Sequence, residues 1–422
     1  MNITKPRGTN DFFGKEISLF NFIVSNLKRI AEQFNFQEIM TPIFESKELF
    51  QRNIGDTSNI VTKEFYDFID KGNRAMVLRP EGTVAVVRSV VENKMLALSN
   101  LPLKFFYVGP MFRYERPQNG RNRQFYQFGV EKINCNSVFD QLEILLLGIN
   151  ILSFFQINNY ELRINYIGNF DSRKKWIDEL KKYFQKYIDK LTPDSVSRIN
   201  KNPLRILDDK VDSKKEFVVN APKIDIFLSD IEKQEIQFIK DSLDRLKINY
   251  VFDSSIVRGL DYYFGIVFEF VSTENDLSKT TIIGGGKYCN LIKELGGLDK
   301  ECIGFAVGVE RLMKAYELEN VFNFKKDIDI YFISLGDTKI NGLTIVNDLR
   351  KKNYVVEMFF DVEKIDKHFK YADKLNPKLI LIYGETEQKN QQIIIKEQKN
   401  KSEIIVKINE LINKINELLT KG

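Results

Sequence analysis

Apolar residues in this chain change their spacing several times, and each change marks an element. From Ser18 to Phe34, SLFNFIVSNLKRIAEQF carries apolar residues at helical spacing and gives way at Asn35, so an amphipathic helix is expected there. FQEIMTPIFE follows as a strand-like segment, in which Pro42 marks an edge or a contact to another element. AMVLRPEGT and KFFYVGPMFRYE read as strands flanking a helix, TVAVVRSVVENKMLAL. A second helix, FDQLEILLLGINILSFF, leads to another strand, YELRINYIGN. Strands and helices alternate, with hairpin-like strand pairs predominating.

From about Asp171 to Phe227 the chain turns to Lys, Asp and aromatic residues at helical spacing, as in SRKKWIDELKKYFQKYIDKL. This predicts a helical insertion, about 171–227, between two parts of one sheet domain. Strand signals resume in NYVFDSSIVRGLDYYFGIVFEFVS and KTTIIGGGKYCNLIKELGG, followed by CIGFAVGVERLMKAYELE. The composition shifts again at NVFNFKKDID. Beyond it the strands DIYFISLG, NYVVEMFF, PKLILIYGE and QQIIIKEQ alternate with the helical runs INGLTIVNDLRKK and VEKIDKHFKYADKL, as in a small separate α/β domain. Two domains are therefore expected, 1–324 and 325–422.

Length supports that division, because 422 residues exceed one ordinary domain. With 43% hydrophobic and 29% charged residues the chain has a globular composition. A net charge of +5, from 63 basic and 58 acidic residues, is compatible with a polyanionic partner without proving one. Cys135, Cys289 and Cys302 form no C-x-x-C pair, so neither a disulfide framework nor a zinc site is expected, and a reducing cytoplasm is the simplest location. MNITKPRGTNDFFG has no apolar run behind a basic start, as a secretory signal would. The longest apolar run, Leu142 to Phe155, is shorter than the ~20 residues that span a bilayer, and no membrane association is expected. The single histidine, His368, lies among charged residues and is expected on an exposed helix face. Chemistry that needs several imidazoles is nearly excluded.

The most informative stretch is MFRYERPQNGRNRQFYQFGVE, residues 111–131, with four arginines between strand-like flanks. Arg113 and Glu115 sit two apart on a strand, so their side chains share one face; Gln127, Gly129 and Glu131 repeat that spacing on the returning strand. The result is a hairpin with a charged inner face and a basic, Gly-containing loop at its tip. Cross-strand ion pairs fit the same spacing, which leaves both readings open.

This stretch resembles motif 2 of the class II aminoacyl-tRNA synthetases, in the form found in histidyl-tRNA synthetases. EIMTPIFESKELFQRNIG resembles motif 1, GFAVGVERL resembles motif 3, and VRGLDYYFGIVFEF resembles the histidine-specific signature. The likeness runs from PRGTNDFF into the carboxy-terminal domain. It implies an α+β catalytic domain with a mixed, mainly antiparallel sheet of six or seven strands flanked by helices, the helical insertion, and an α/β anticodon-binding domain. The implied reaction is ATP-dependent ligation of L-histidine to tRNA(His) through an adenylate, with magnesium accompanying the ATP phosphates. Motif 1 implies a homodimer.

The family also implies roles. Arg113 grips the α-phosphate and the amino-acid carboxylate, and Glu115 positions the adenine end. Arg258 is the second catalytic guanidinium, where other class II enzymes use a metal, so no protein metal site is expected. Arg311 covers the adenine and reaches the γ-phosphate, and Gly308 leaves room for the base. Glu81 and Thr83 receive the substrate amino group, with Gln127 nearby. Glu131 and Tyr263 hydrogen-bond the imidazole, Tyr262 adjoins them, and Tyr288 closes the pocket. Gln118, Arg121 and Arg123 contact the acceptor end of tRNA. The chain departs from the family pattern at Lys287, Cys289 and Asn290, where the family usually has Arg, Asp and Gly. IIGGGKY does not satisfy the P-loop pattern. The main rival reading is a regulatory paralogue, such as the regulatory subunit of ATP phosphoribosyltransferase, which binds histidine without charging tRNA.

Overall fold

The computed structural model describes residues 3–54, 64–98, 101–117, 121–207, 209, 211–254, 256, 262–277, 280–324, 328–398 and 402–420. It divides into two compact units, Met1–Phe322 and Asn323–Gly422.

The first unit is built on one sheet and one smaller sheet. Eight strands form the large sheet in the order β1 (Gln37–Glu38), β5 (Leu103–Phe112), β6 (Gln124–Ile133), β11 (Cys302–Gly308), β10 (Thr281–Tyr288), β9 (Tyr263–Ser272), β7 (Tyr160–Tyr166) and β8 (Val251–Phe252). The central pairings are antiparallel; only β1 against β5 and β8 against β7 run parallel. Sequence reading expected six or seven strands. The difference comes from these two-residue edge strands, too short to show any period. Strands β2 (Phe44–Ser46), β4 (Ala75–Leu78) and β3 (Asp67–Ile69) form the smaller sheet.

The segment FQEIMTPIFE, expected as one strand, is split between the two sheets on either side of Pro42. Arg79 ties the split together. Its Nη1 donates to the Thr41 carbonyl at 2.9 Å and hydroxyl at 3.1 Å, and its Nε donates to the Pro110 carbonyl at 3.0 Å. A Cβ on Gly109 would lie 2.1 Å from this guanidinium, so only glycine fits there.

Helices cover the sheet according to their apolar faces. Helix Lys15–Gln33 buries Leu19, Ile23, Leu27 and Ile30, a single stripe at helical spacing. Helix Val138–Phe154 is apolar nearly all round and starts at a capping box of Ser137 and Asp140. It buries Leu142, Ile144, Leu145, Leu147, Ile151 and Leu152, and Gly148 lets the Phe270 ring approach. Among the described residues no helix is long and apolar enough to cross a membrane.

Between β7 and β8 the chain forms helices from Phe170–Gln185 through Asp230–Arg245. They share the core of the large sheet, to which Trp176 belongs, and its Nε1 donates to the Pro222 carbonyl at 2.7 Å. Buried Asp212 accepts from the Thr192 amide at 3.0 Å and hydroxyl at 2.6 Å and pairs with Lys215 at 2.7 Å; these partners outweigh burial and hold its carboxyl well below the usual range.

The second unit carries a mixed five-stranded sheet in the order β13 (Val356–Met358), β12 (Ile330–Ser334), β14 (Leu379–Tyr383), β15 (Gln392–Glu397) and β16 (Glu403–Lys407). The first three are parallel, and the last two return antiparallel. Helix Lys339–Lys351 crosses from β12 to β13, and helix Ile365–Leu375 crosses from β13 to β14. His368 contradicts the sequence expectation of an exposed position: it is fully buried. The helix turns it and Ala372, one turn on, toward the sheet, whereas its charged sequence neighbours point elsewhere. Its Nε2 donates to the Val362 carbonyl at 3.0 Å, leaving Nδ1 to accept from the Tyr331 hydroxyl at 2.8 Å.

Burial lowers the His368 pKa from its ordinary 6.5. The unfolded chain then binds the proton more readily than the folded one, so stability rises with pH and is lost as pH falls through the ordinary range. Because the chain has one histidine, its ring resonances report one site. An NMR pH titration is expected to show a midpoint below 6.5; a midpoint at or above that value refutes the buried neutral ring.

Candidate active site

Strands β5 and β6 pair from Leu103 with Ile133 to Phe112 with Gln124, and the site is built along this hairpin, beginning at its loop end. Arg113 and Glu115 lie just beyond the strand instead of on it, which corrects the simple alternation argument. Arg113 keeps one ladder bond, from its amide to the Arg123 carbonyl at 2.9 Å, after which the Tyr114 amide leaves for the Glu64 carbonyl at 2.7 Å. The Arg113 guanidinium is fixed by Nε donating to the Pro80 carbonyl at 2.9 Å and by the Phe125 ring, 5.2 Å away.

Deeper along the hairpin lies a pocket of buried polar groups. Glu81 accepts from the backbone amides of Thr83 at 2.9 Å and Val84 at 2.8 Å, so it caps the helix Thr83–Glu92 from inside. The Thr83 hydroxyl donates to Glu131 Oε1 at 2.6 Å, and the Tyr288 hydroxyl donates to Glu131 Oε2 at 2.7 Å. Glu131 is 1% exposed, and burial pushes its carboxyl up to about 8 against the downward pull of those two donors. A Cβ on Gly304, opposite Glu131 across the β6–β11 ladder, would lie 2.3 Å from Oε2; glycine there makes room for the acid. Tyr262 packs on Tyr263 and Tyr288 with ring centroids 4.7 and 5.6 Å away. Glu81, Thr83, Glu131, Tyr262, Tyr263 and Tyr288 thus form one cluster linked by hydrogen bonds and ring contacts, to which Gln127 is joined through the Tyr107 hydroxyl.

A cationic group faces the mouth. Helix Val309–Glu319 starts at Gly308, and Arg311 on its first turn donates from Nη1 to the Thr281 carbonyl at 2.9 Å. Burial lowers the Arg311 pKa, and the positive charges of Arg121 and Arg113 lower it further. Three guanidiniums close enough to repel one another make a site that favours a polyanion, which removes that repulsion on binding. Arg121 meets Glu115 at 3.3 Å, and Arg123 stacks on the Tyr114 ring at 4.0 Å. Arg258 and Gln118 lie outside the described residues.

The unusual glycine segment finds its reasons here. Gly285 allows β10 to approach β11, since a Cβ would lie 2.2 Å from the Gly304 carbonyl. Asn290 adopts a left-handed conformation with φ of 65°, one that asparagine tolerates better than most non-glycine residues. Lys287 pairs with Glu301 at 2.7 Å and lies over the Phe264 ring at 4.9 Å. Burial pushes the Cys289 thiol up to about 11.

Three contributors escaped the sequence reading. Glu310 accepts the Tyr126 amide with both oxygens, at 2.9 and 3.0 Å, and so locks the Arg311 helix to β6; burial pushes its carboxyl up to about 7. Arg173, from the helices between β7 and β8, donates to the Tyr263 carbonyl. Tyr107 lies inside the pocket and donates to Gln127 Oε1 at 3.3 Å. Only Tyr107 left a signal, as the polar-tipped residue facing Gly129 across the hairpin.

An antiparallel sheet with a charged motif 2 hairpin and a motif 3 strand–helix carrying an arginine is the catalytic architecture of a class II aminoacyl-tRNA synthetase. The histidyl-tRNA synthetase family model matches residues 8–312, and an anticodon-binding domain model matches residues 331–418. The chain belongs to the histidyl-tRNA synthetase family. The histidine–tRNA ligase of Malacoplasma penetrans is 54% identical over 97% of both chains, and that of Ureaplasma urealyticum is 46% identical over 94% of this chain and 95% of its own. Among solved structures, the apo histidyl-tRNA synthetase of S. aureus superposes with a TM-score of 0.83 at 33% identity, covering 98% of this chain and 100% of that one.

Glu131 gives a pH test. Its folded pKa of about 8 exceeds the ordinary 4.5, so the folded chain keeps a proton that the unfolded chain has released. Stability attributable to this group therefore falls as pH rises through that window. Relative to the parent protein, Glu131→Gln is expected to gain in melting temperature by a few degrees between pH 5 and pH 9, measured by calorimetry without ligands. A difference that stays constant with pH refutes the shift.

Proposed function

We propose that this chain ligates L-histidine to tRNA(His) in two steps. The histidine carboxylate attacks the α-phosphorus of ATP, the bond to the β-phosphate oxygen breaks, and histidyl-adenylate and pyrophosphate result. A hydroxyl of the terminal tRNA ribose then takes the histidyl group, and AMP leaves. The observation that carries this reading is the joining of a buried acid–phenol pocket to a cluster of guanidiniums along one hairpin.

The first step needs no general base, because a carboxylate is already ionised at neutral pH. It needs alignment and neutralisation of the charge gathering at phosphorus. Arg113 and Arg258 are proposed for that role, Arg311 for the γ-phosphate and Glu115 for the adenine end, with Gly308 leaving space for the base. Magnesium enters with the ATP phosphates as part of the substrate. Glu81, Thr83 and Gln127 take the main-chain groups of the amino acid, and Glu131, Tyr263, Tyr262 and Tyr288 surround its imidazole. A side chain lacking the matching groups leaves a buried acid and phenol unpaired, which gives strong discrimination. Gln118, Arg121 and Arg123 meet the acceptor end of the tRNA, and the 325–422 domain its anticodon. Three free cysteines fit a cytoplasmic location.

The regulatory alternative has less support. A Bacillus halodurans protein described as an ATP phosphoribosyltransferase regulatory subunit/histidyl-tRNA synthetase matches at 18% identity with a TM-score of 0.64, a likeness of fold alone. The presence of Arg113 and Arg311, together with the match to the anticodon-binding model, favours the ligase.

A homodimer through the motif 1 face is part of the proposal. Met40, Phe44, Phe68 and Ile69 are 84, 54, 43 and 63% exposed on and beside the smaller sheet, an apolar patch suited to a second copy. Sedimentation is expected to give a dimer, and Met40→Glu with Phe44→Glu is expected to shift it toward monomer; a parent protein that sediments as a monomer rejects the dimer.

The function itself is tested by ATP–pyrophosphate exchange with each amino acid in turn. Exchange is expected with histidine alone, and Arg113→Ala should lower it by roughly a hundredfold or more. Exchange without preference for histidine would reject the assignment.

A further inference from the structure

Tyr107 occupies the junction of the pocket's two walls. It projects from β5 directly opposite Gly129 of β6, and it is 4% exposed. Its ring fills a slot that only two glycines leave open. A Cβ on Gly82 would come within 2.2 Å of ring atom Cε2, and a Cβ on Gly129 within 2.3 Å of Cζ. Gly82 is the residue between Glu81 and Thr83, so the ring is wedged between the turn that carries those two side chains and the strand that carries Gln127 and Glu131. Burial and the nearby charges of Glu131 and Glu81 hold the phenol well above its ordinary pKa of 10, so it remains a donor at working pH.

That donor is spent on Gln127. A glutamine amide has one acceptor end and one donor end. With the Tyr107 hydroxyl donating to Oε1 at 3.3 Å, the amide is held by its oxygen, and Nε2 on the other side of the amide keeps both of its N–H groups for other partners. An N–H donor matches a carboxylate oxygen and does not match an ammonium group, which suits Glu81 and the Thr83 hydroxyl instead. We propose that Tyr107 is a positioning residue for amino-acid recognition: its hydroxyl sets the Gln127 amide so that Nε2 reads the substrate carboxylate. This rests on the placement of Gln127 in the histidine site made above. The ring fixes the spacing between the Glu81–Thr83 turn and β6, so that the ammonium and carboxylate readers keep a constant separation.

Tyr107→Phe keeps the ring in its slot and removes only the hydroxyl. In ATP–pyrophosphate exchange it is expected to raise KM for histidine roughly tenfold, the effect of one lost buried hydrogen bond, with kcat and KM for ATP within about twofold. Histidinol, which has the ammonium and imidazole but no carboxylate, should inhibit parent and variant equally. Gln127→Ala should raise KM for histidine, and adding Tyr107→Phe to it should cost nothing more, because the two residues act as one unit. Losses that add in the double variant, or histidinol binding that weakens in parallel with histidine, overturn the proposal. A silent Tyr107→Phe beside an impaired Gln127→Ala overturns it while leaving the site reading intact. If both single variants are silent, the placement of Gln127 in the histidine site fails as well.

Discussion

The catalytic unit is organised around a carboxylate that has been taken out of water. Glu131 lies on a central strand of the large sheet, 1% exposed, and survives there because two hydroxyls converge on its two oxygens. An unpaired acid at that depth costs several kcal/mol, so its partners are a condition of folding as well as of recognition. Thr83 comes from the helix after the small sheet, and Tyr288 from the end of β10. One buried acid therefore pins three separate segments to each other.

Glycines on the sheet and at the turn before Thr83 make that possible. Gly304 gives the acid its space, Gly285 lets β10 close on β11, and Gly82 and Gly129 leave the slot that Tyr107 fills. In a sheet, glycine normally weakens the strand. Here the lost side chains become a cavity for polar groups, and the flanking Phe268, Phe270 and Phe305, each fully buried, restore the packing behind it. The opposite end of the same hairpin is dominated by repulsion. Arg113, Arg121 and Arg311 share a field that each of them raises, and Glu115 offsets only part of it. A buried pocket lined by hydrogen-bonding groups thus adjoins a positively charged mouth, and this order along the hairpin matches the order of the two substrates in the proposed adenylate.

Much of this was legible in the chain, for identifiable reasons. The long helices Lys15–Gln33 and Val138–Phe154 followed from spacing, and the β5–β6 hairpin from strand-like flanks around a polar loop. The grouping of Glu81, Thr83, Glu131 and Tyr288 came from resemblance, and the hydrogen bonds now supply its physical basis. The edge strands β1 and β8 were missed because two residues carry no period. His368 was misplaced because its neighbours in sequence are charged, while its neighbours in space are Tyr331 and the Val362 carbonyl.

By itself the sequence determined which residues carry charge, where the long helices and the β5–β6 hairpin lie, and the membership of the family, because these depend on residue type and local spacing. Only the tertiary structure decided the protonation environment of Glu131 and Glu310, the slot around Tyr107 and the tie from Arg79 to Thr41 and Pro110. Those properties depend on distances between segments up to 184 positions apart, as from Glu310 to Tyr126, and no local pattern encodes such a distance.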